Sequence, residues 1–260
     1  MRILDRFIQK LATQKQSLYE FRAKLKQVKE LEYYDIDDIE NIRLLGLPIV
    51  ELEHKNIALE TTFTPIEKQR FCIVDIETSG SKIETSQIIE IGAIMVQGGK
   101  IVAEFESLVK CNNIPENITY LTGIKNEDVK DSPSLASVLE RFRLFLGDAV
   151  FVAHNVNFDY YFISDSMQNA GFGPLLNRRM CSIDLARKTF EAPKYGLGFL
   201  IEYLGIKVDS HHRAYSDALA TVSVLEKSLS NLPETIITTE DLIKFAKPNP
   251  KSRKKKKESA

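Results

Sequence analysis

The sequence predicts an α/β architecture: a mixed sheet flanked by helices, preceded by a small helical unit. Three observations predict it. Strand patterns lie at 71–76, 87–96, 101–109 and 149–153, the first and last of them apolar runs. Helical periodicities alternate with strand patterns from Leu135 onward. Residues 1–66 carry a helical pattern of their own. A chain of 260 residues with 43% apolar content can bury a real core and suits one medium and one small domain.

In the first unit, Leu4, Phe7, Ile8 and Leu11 recur at helical spacing, as do Leu18, Phe21, Leu25 and Val28. Asp35 starts a third short helix through Ile36, Ile39 and Ile42, which Gly46 and Pro48 end. Val50 and Leu52, then Ile57 and Leu59, alternate around His54-Lys55-Asn56, the pattern of a hairpin. Three helices and a hairpin give residues 1–66 a winged-helix-like order, which suggests DNA binding. The third helix, however, sets Asp35, Asp37, Asp38 and Glu40 against Arg43. Phosphates repel such a surface, so charge favours a docking or structural role.

A polar connector at 64–68 leads to the larger unit, residues 70–230. Its first strand is wholly apolar up to Asp75. Gln97-Gly98-Gly99-Lys100 turns the second strand into the third. Leu135, Val138, Leu139, Phe142 and Leu146 form an amphipathic helix, with Asp131 or Ser132 as its cap and Pro133 near its first turn. A short strand at 149–153 and a helix at 157–170 follow, with Gly171 ending the helix. Shorter helices at 184–190 and 197–204 precede a longer one at 215–229. Residues 231–260 read as a basic, disordered tail, apart from a helical pattern at 239–245.

Residues 251–260 carry six Lys/Arg and one Glu, a net +5. The whole chain is −1, so the first 250 residues sum to −6. An acidic body is a poor nucleic-acid binder unless bound cations offset its carboxylates. The basic run is a solvated tail that adds affinity without specificity. No apolar run approaches the roughly 20 residues of a membrane span, and the first residues turn charged too soon for a secretory signal. Cys72, Cys111 and Cys181 show no metal-type spacing, and an odd count fits a reducing compartment. The expected location is cytoplasmic.

Five residues from three segments carry the chemistry: Asp75 and Glu77, Asp159, and His212 and Asp217. Asp75 and Glu77 are two apart on a strand, so both carboxylates face one side. On a buried strand each charge costs several kcal/mol if left unpaired, and a cation is the simplest compensation. Asp159 falls in the first turn of a helix, where it either caps that helix or joins the site. Asp217 starts the last long helix. Oxygen-only ligands select hard ions, Mg²⁺ or Mn²⁺, over zinc. Two such ions hold the attacking and leaving oxygens of a phosphodiester displacement. An imidazole titrating near pH 6.5 suits proton abstraction from water, and His211 competes with His212 for that role.

Three segments stand in order: Val74-Asp75-Ile76-Glu77-Thr78, His154-Asn155-Val156-Asn157-Phe158-Asp159 and His212-Arg213-Ala214-Tyr215-Ser216-Asp217. Leu121-Thr122-Gly123-Ile124 adds a fourth. With these the chain resembles the histidine-containing branch of the DEDD exonuclease superfamily, the DnaQ-like family, over residues 70 to 229. Within the branch it looks like the epsilon-type proofreading subunits of bacterial DNA polymerase III. Thr78-Ser79-Gly80 departs mildly from the usual Thr-Thr-Gly, and the family's exonuclease domain usually starts the chain. The resemblance implies an RNase H-like fold and 3′→5′ hydrolysis at a single-stranded DNA 3′ end, releasing nucleoside 5′-monophosphates. It implies that Asp75, Glu77, Asp159 and Asp217 hold two metal ions. It makes His212 the base, because His212 stands five residues before Asp217. It assigns substrate contacts to Thr78, Leu121 and Ile124; His154 and Asn155 match the family segment and read either as supports behind the ligands or as structural residues. A polymerase III catalytic subunit is the partner implied. An RNA exonuclease of the same fold and a non-catalytic scaffold are the alternatives.

Overall fold

The computed structural model describes residues 3–207 and 213–248. The first unit runs α1 (Ile3–Leu11), β1 (Gln16–Ser17), α2 (Leu18–Leu25), α3 (Ile39–Leu44), β2 (Ile49–Leu52) and β3 (Asn56–Leu59). Its strands form an antiparallel sheet in the order β1-β3-β2. Phe21, Leu25, Ile42, Leu47, Ile57 and Leu59 are fully buried in a core of the unit's own. Ser17 and Glu20 form a capping box that starts α2. The third helix begins at Ile39 rather than Asp35. The Asp35 side chain accepts the Asp37 N–H in a local turn, and Asp38 caps the helix instead. The hairpin turns where expected, with His54 and Lys55 in the left-handed region at φ 58° and 54°.

The second unit holds β4 (Phe71–Thr78), β5 (Ile88–Gln97), β6 (Lys100–Leu108), α4 (Glu116–Thr122), α5 (Asn126–Val129), α6 (Leu135–Leu146), β7 (Val150–Ala153), α7 (Val156–Asn169), β8 (Arg179–Cys181), α8 (Ser182–Thr189), α9 (Leu197–Leu204), α10 (Ala214–Leu229) and α11 (Thr239–Phe245). The sheet order is β6-β5-β4-β7-β8. β4, β5 and β6 pair antiparallel, while β7 runs parallel to both β4 and β8. This is the mixed, helix-flanked sheet the sequence predicts.

Alternation along β4 sorts its residues between two cores. Cys72, Val74 and Ile76 face α6 and α7. Phe71 and Ile73 face α8, α10 and α11. Asp75 and Glu77 continue the second series, on the side that α10 covers. On β5, Ile91, Ala93 and Met95 pack with the α6–α7 core, and Ile94 and Val96 with the other. Glu90 and Gly92 therefore share the face of Asp75 and Glu77.

β8, α4 and α5 have no counterpart in the sequence expectations. The cap of α6 is Ser134, whose hydroxyl accepts the Ser137 N–H, not Asp131 or Ser132. Part of the expected tail is built into the fold. α11 has a Thr238–Asp241 capping box and buries Leu242 and Ile243 on the sheet. Buried Glu240 accepts two hydrogen bonds from Arg178, at 3.0 and 2.6 Å, and one from Thr61 at 2.9 Å. The basic run at 251–257 lies outside the described residues. The two units meet at Asp5 on α1, which accepts from Arg179 at 2.9 Å and from the Tyr161 hydroxyl at 2.5 Å. Arg143 adds a bridge, donating to the carbonyls of Leu45, Phe172, Gly173 and Pro174. Among the described residues no helix is long and apolar enough to cross a membrane.

Candidate active site

Asp75 and Glu77 stand on β4 and Asp217 in the first turn of α10. One carboxylate oxygen from each lies within 4.8 Å of the other two, and all three residues are half-buried. Asp159, in the first turn of α7, is 4% exposed. β4 pairs with β7 only through Phe71, Cys72 and Ile73, so the backbone beyond is open on that side. The N–H of Ile76 donates there to the Asp159 carboxylate.

These acids hold one another's protons. Burial, then the charges of Asp159, Asp217, Glu77 and Glu90, push Asp75 well above the carboxylate range. Glu77 is pushed up to about 8, first by burial and then by Asp217, Glu90 and Asp159. Burial raises Asp159 to about 7, against the backbone donors that favour its charge. A pocket of mutually repelling oxygens is short of positive charge. Its donor set is entirely carboxylate, which fits hard divalent cations.

The turn into α7 is set by Asn155, which holds φ 91°, a conformation costly for most side chains. His154 beside it is fixed by two contacts of 2.8 Å. Its Nε2–H donates to the Tyr195 carbonyl, so its Nδ1 accepts from the Ser182 hydroxyl. Burial lowers its pKa to about 4, and it stays neutral as a strut between β7, α8 and the loop before α9. Thr78 is buried at the end of β4, where the register with β5 shifts. Leu121 is 51% exposed on α4 beside the still more exposed Tyr120. Gly123 ends α4 at φ +73°, and Thr122 Oγ1 accepts the Ile124 N–H. Ile124 is 2% exposed, packed with Ile89, Cys111, Ile114 and Val129. His212 and its neighbour His211 lie outside the described residues.

Two residues that the sequence reading passed over, Glu90 and Gly92, shape the site. Glu90 is fully buried opposite Glu77 and ion-paired to Arg213 at 2.6 Å. Gly92 lies opposite Asp75. A Cβ there would come within 2.2 Å of the Tyr215 nitrogen and 2.3 Å of the Ala214 carbonyl carbon. The signals were a single charge and a glycine inside an otherwise apolar strand, 88–96.

Comparison with known proteins shows the family. The RNase_T family model, described as Exonuclease, matches residues 72–225. A PolC-type DNA polymerase III of Staphylococcus haemolyticus is 34% identical over 184 residues, 70% of this chain and 13% of the relative. A Staphylococcus aureus counterpart is 33% identical over 180 residues, covering 68% and 12%. The chain thus spans about an eighth of the length of these curated relatives. Escherichia coli exonuclease I, solved in complex with a dA16 oligonucleotide, superposes with a TM-score of 0.57 at 17% identity, over 64% of this chain and 42% of that one. Exonuclease X, solved in complex with 5′ overhanging duplex DNA, gives 0.51 at 24% identity over 68% and 99%. At these identities the superpositions show a shared fold.

Proposed function

This chain belongs to the RNase_T exonuclease family, and we propose that it is a metal-dependent 3′→5′ exonuclease removing nucleoside 5′-monophosphates from DNA ends during replication. The supporting observation is the convergence of Asp75, Glu77 and Asp217 within 4.8 Å, with the Asp159 charge acting on the same group. These four would hold Mg²⁺ or Mn²⁺. Two such ions, when bound, offset the charge that develops on the phosphate and make a water easier to deprotonate.

The chain's own residues do the rest. Asp75 and Glu77 stand on a central strand, and Asp217 on a helix packed against it, so the donor oxygens are set in advance. The Ile76 N–H holds Asp159 in place. His212 takes the proton of the attacking water through its neutral imidazole. The water oxygen bonds to phosphorus as the bond from phosphorus to the 3′ oxygen of the penultimate nucleotide breaks, and that oxygen takes up a proton from solvent to become a 3′ hydroxyl. Exposed Leu121 offers an apolar edge to the terminal base, and Thr78 offers its backbone. Buried Ile124 acts by shaping the loop behind Leu121. DNA as substrate is supported by relatives that are DNA polymerases and by neighbours solved with DNA. The same relatives support a replicative polymerase catalytic subunit as partner, with residues 1–66 as a docking unit and the basic segment 251–260 as an aid to nucleic-acid association. Co-purification with the tagged protein checks that partner.

Asp75→Ala and His212→Ala should each lower kcat on a single-stranded oligonucleotide by at least about 100-fold, the usual contribution of a positioned base. Rates are compared on matched DNA and RNA oligonucleotides with saturating Mg²⁺. Full activity in either variant contradicts the reading, and faster cleavage of RNA reassigns the substrate.

A further inference from the structure

We infer that Glu90 and Arg213 are a positioning pair that fixes where α10 begins, and so where Asp217 stands against Asp75 and Glu77. The inference rests on the nuclease reading above. Glu90 is fully buried on β5, directly across from Glu77. A fifth acid so close to the cluster would ordinarily compete for a cation. Its oxygens are already engaged. Arg213 donates to Oε1 from Nη2 at 2.6 Å, and from Nε to Oε1 at 3.0 Å and Oε2 at 3.2 Å. The Ala214 N–H donates to Oε2 at 2.9 Å.

Geometry gives these bonds a purpose. Arg213 is the residue before α10, and its side chain does not cap the helix. The first amides of a helix need acceptors. Here the acceptor comes from a neighbouring strand, so the cap ties the helix start to the sheet. Gly92, two residues along β5 on the same face, lets the α10 backbone come down onto the strand opposite Asp75. Glu90 sets the position of the helix start and Gly92 sets its height. Asp217 follows within one turn. Removing the guanidinium leaves Glu90 buried and uncompensated beside the acidic cluster.

The test compares Arg213→Met, Arg213→Lys, Glu90→Gln and the double variant Glu90→Gln with Arg213→Met. Mn²⁺ binding is measured without nucleic acid by electron paramagnetic resonance, kcat and KM on a single-stranded DNA oligonucleotide, and Tm without metal. Arg213→Met should weaken Mn²⁺ binding about 10- to 100-fold, the range seen when partners that orient metal ligands are removed. It should lower kcat and leave KM unchanged. Arg213→Lys, which keeps charge but not the fork, should lie between. The double variant should cost no more than Arg213→Met alone, because the two residues act as one unit. Unchanged Mn²⁺ binding and kcat across the set, with only Tm lowered, makes the pair ordinary helix packing and overturns the inference. If Arg213→Met does not fold, Arg213→Lys and Glu90→Gln decide by the same criteria. Failure of the unaltered protein to degrade DNA with Mn²⁺ sinks the nuclease reading; failure of the variants to differ from it sinks this one.

Discussion

Asp75 is the residue on which most of the site's charge bears: burial, three neighbouring acids of the cluster and Glu90 all oppose its ionisation. Glu77 and Asp159 share the condition, held up to about 8 and about 7. The linkage has a definite sign. An unfolded chain loses these protons near pH 4, and the metal-free folded chain keeps them until pH 7 to 8. Their contribution to stability is full below about pH 4 and is lost as pH rises through about 8. The Tm of metal-free protein should therefore fall between pH 5.5 and 8.5, and fall less steeply in Glu77→Gln. Equal slopes in the two proteins contradict the electrostatic description. A divalent ion should reverse the trend, because it binds the ionised acids. At 100 times its Kd a ligand adds about 2.7 kcal/mol, and the Tm gain on adding Mn²⁺ should be larger at pH 8 than at pH 6. The candidate ligands could be read from the sequence because each is a charge in an apolar or helix-start setting. Glu90 met the same description and was missed. What makes it a partner of Arg213 rather than a ligand is a contact across 123 residues, which local pattern does not carry.

Among the elements, α10 depends most on close approach. Gly92→Ala places a methyl group against the Ala214 and Tyr215 backbone. Overpacking of this kind costs about 1–3 kcal/mol, and the helix start can escape only by lifting Asp217 from Asp75. Activity with Mg²⁺ should fall by more than the loss of folded protein accounts for. A variant with lowered Tm and normal kcat would show that α10 need not sit so close. α11 is a second dependent element. Glu240→Ala leaves Arg178 buried without its partner, which costs about 3–5 kcal/mol; chemical denaturation measures it, and a change below about 1 kcal/mol is the contrary result. The strands β4, β5 and β7 were legible because their apolar residues alternate between two cores, and the largely exposed β6 because the Gly98-Gly99 turn sets it beside β5. β8 was not, since three residues with an arginine at one end carry no period. α4 was not, since its exposed face includes Tyr120 and Leu121 where polar residues are expected. α11 is a faint pattern in sequence, and it belongs to the fold through Arg178 and Thr61, residues 62 and 179 positions away.

At the scale of the molecule, an acidic body joins a basic C-terminal run. The body repels a polyanion except where cations fill the carboxylate cluster, and the run at 251–257 attracts it without reading sequence. Removing residues 251–260 should raise KM for single-stranded DNA, leave kcat unchanged and flatten the dependence of KM on salt by about 0.7 per lost phosphate contact. An unchanged salt slope leaves the run with no part in binding. The two units were legible as separate periodicities, but their contacts were not: Asp5 with Arg179 and Tyr161, and Arg143 with the carbonyl of Leu45, join residues far apart in the chain. Those contacts bring α1 against α7, the helix that carries Asp159. The central claim is that four acids from β4, α7 and α10 cage divalent cations at one place. Anomalous diffraction from crystals grown with Mn²⁺ tests it directly. The account predicts two peaks in contact with Asp75, Glu77, Asp159 and Asp217; peaks elsewhere, or none at saturating Mn²⁺, would contradict it.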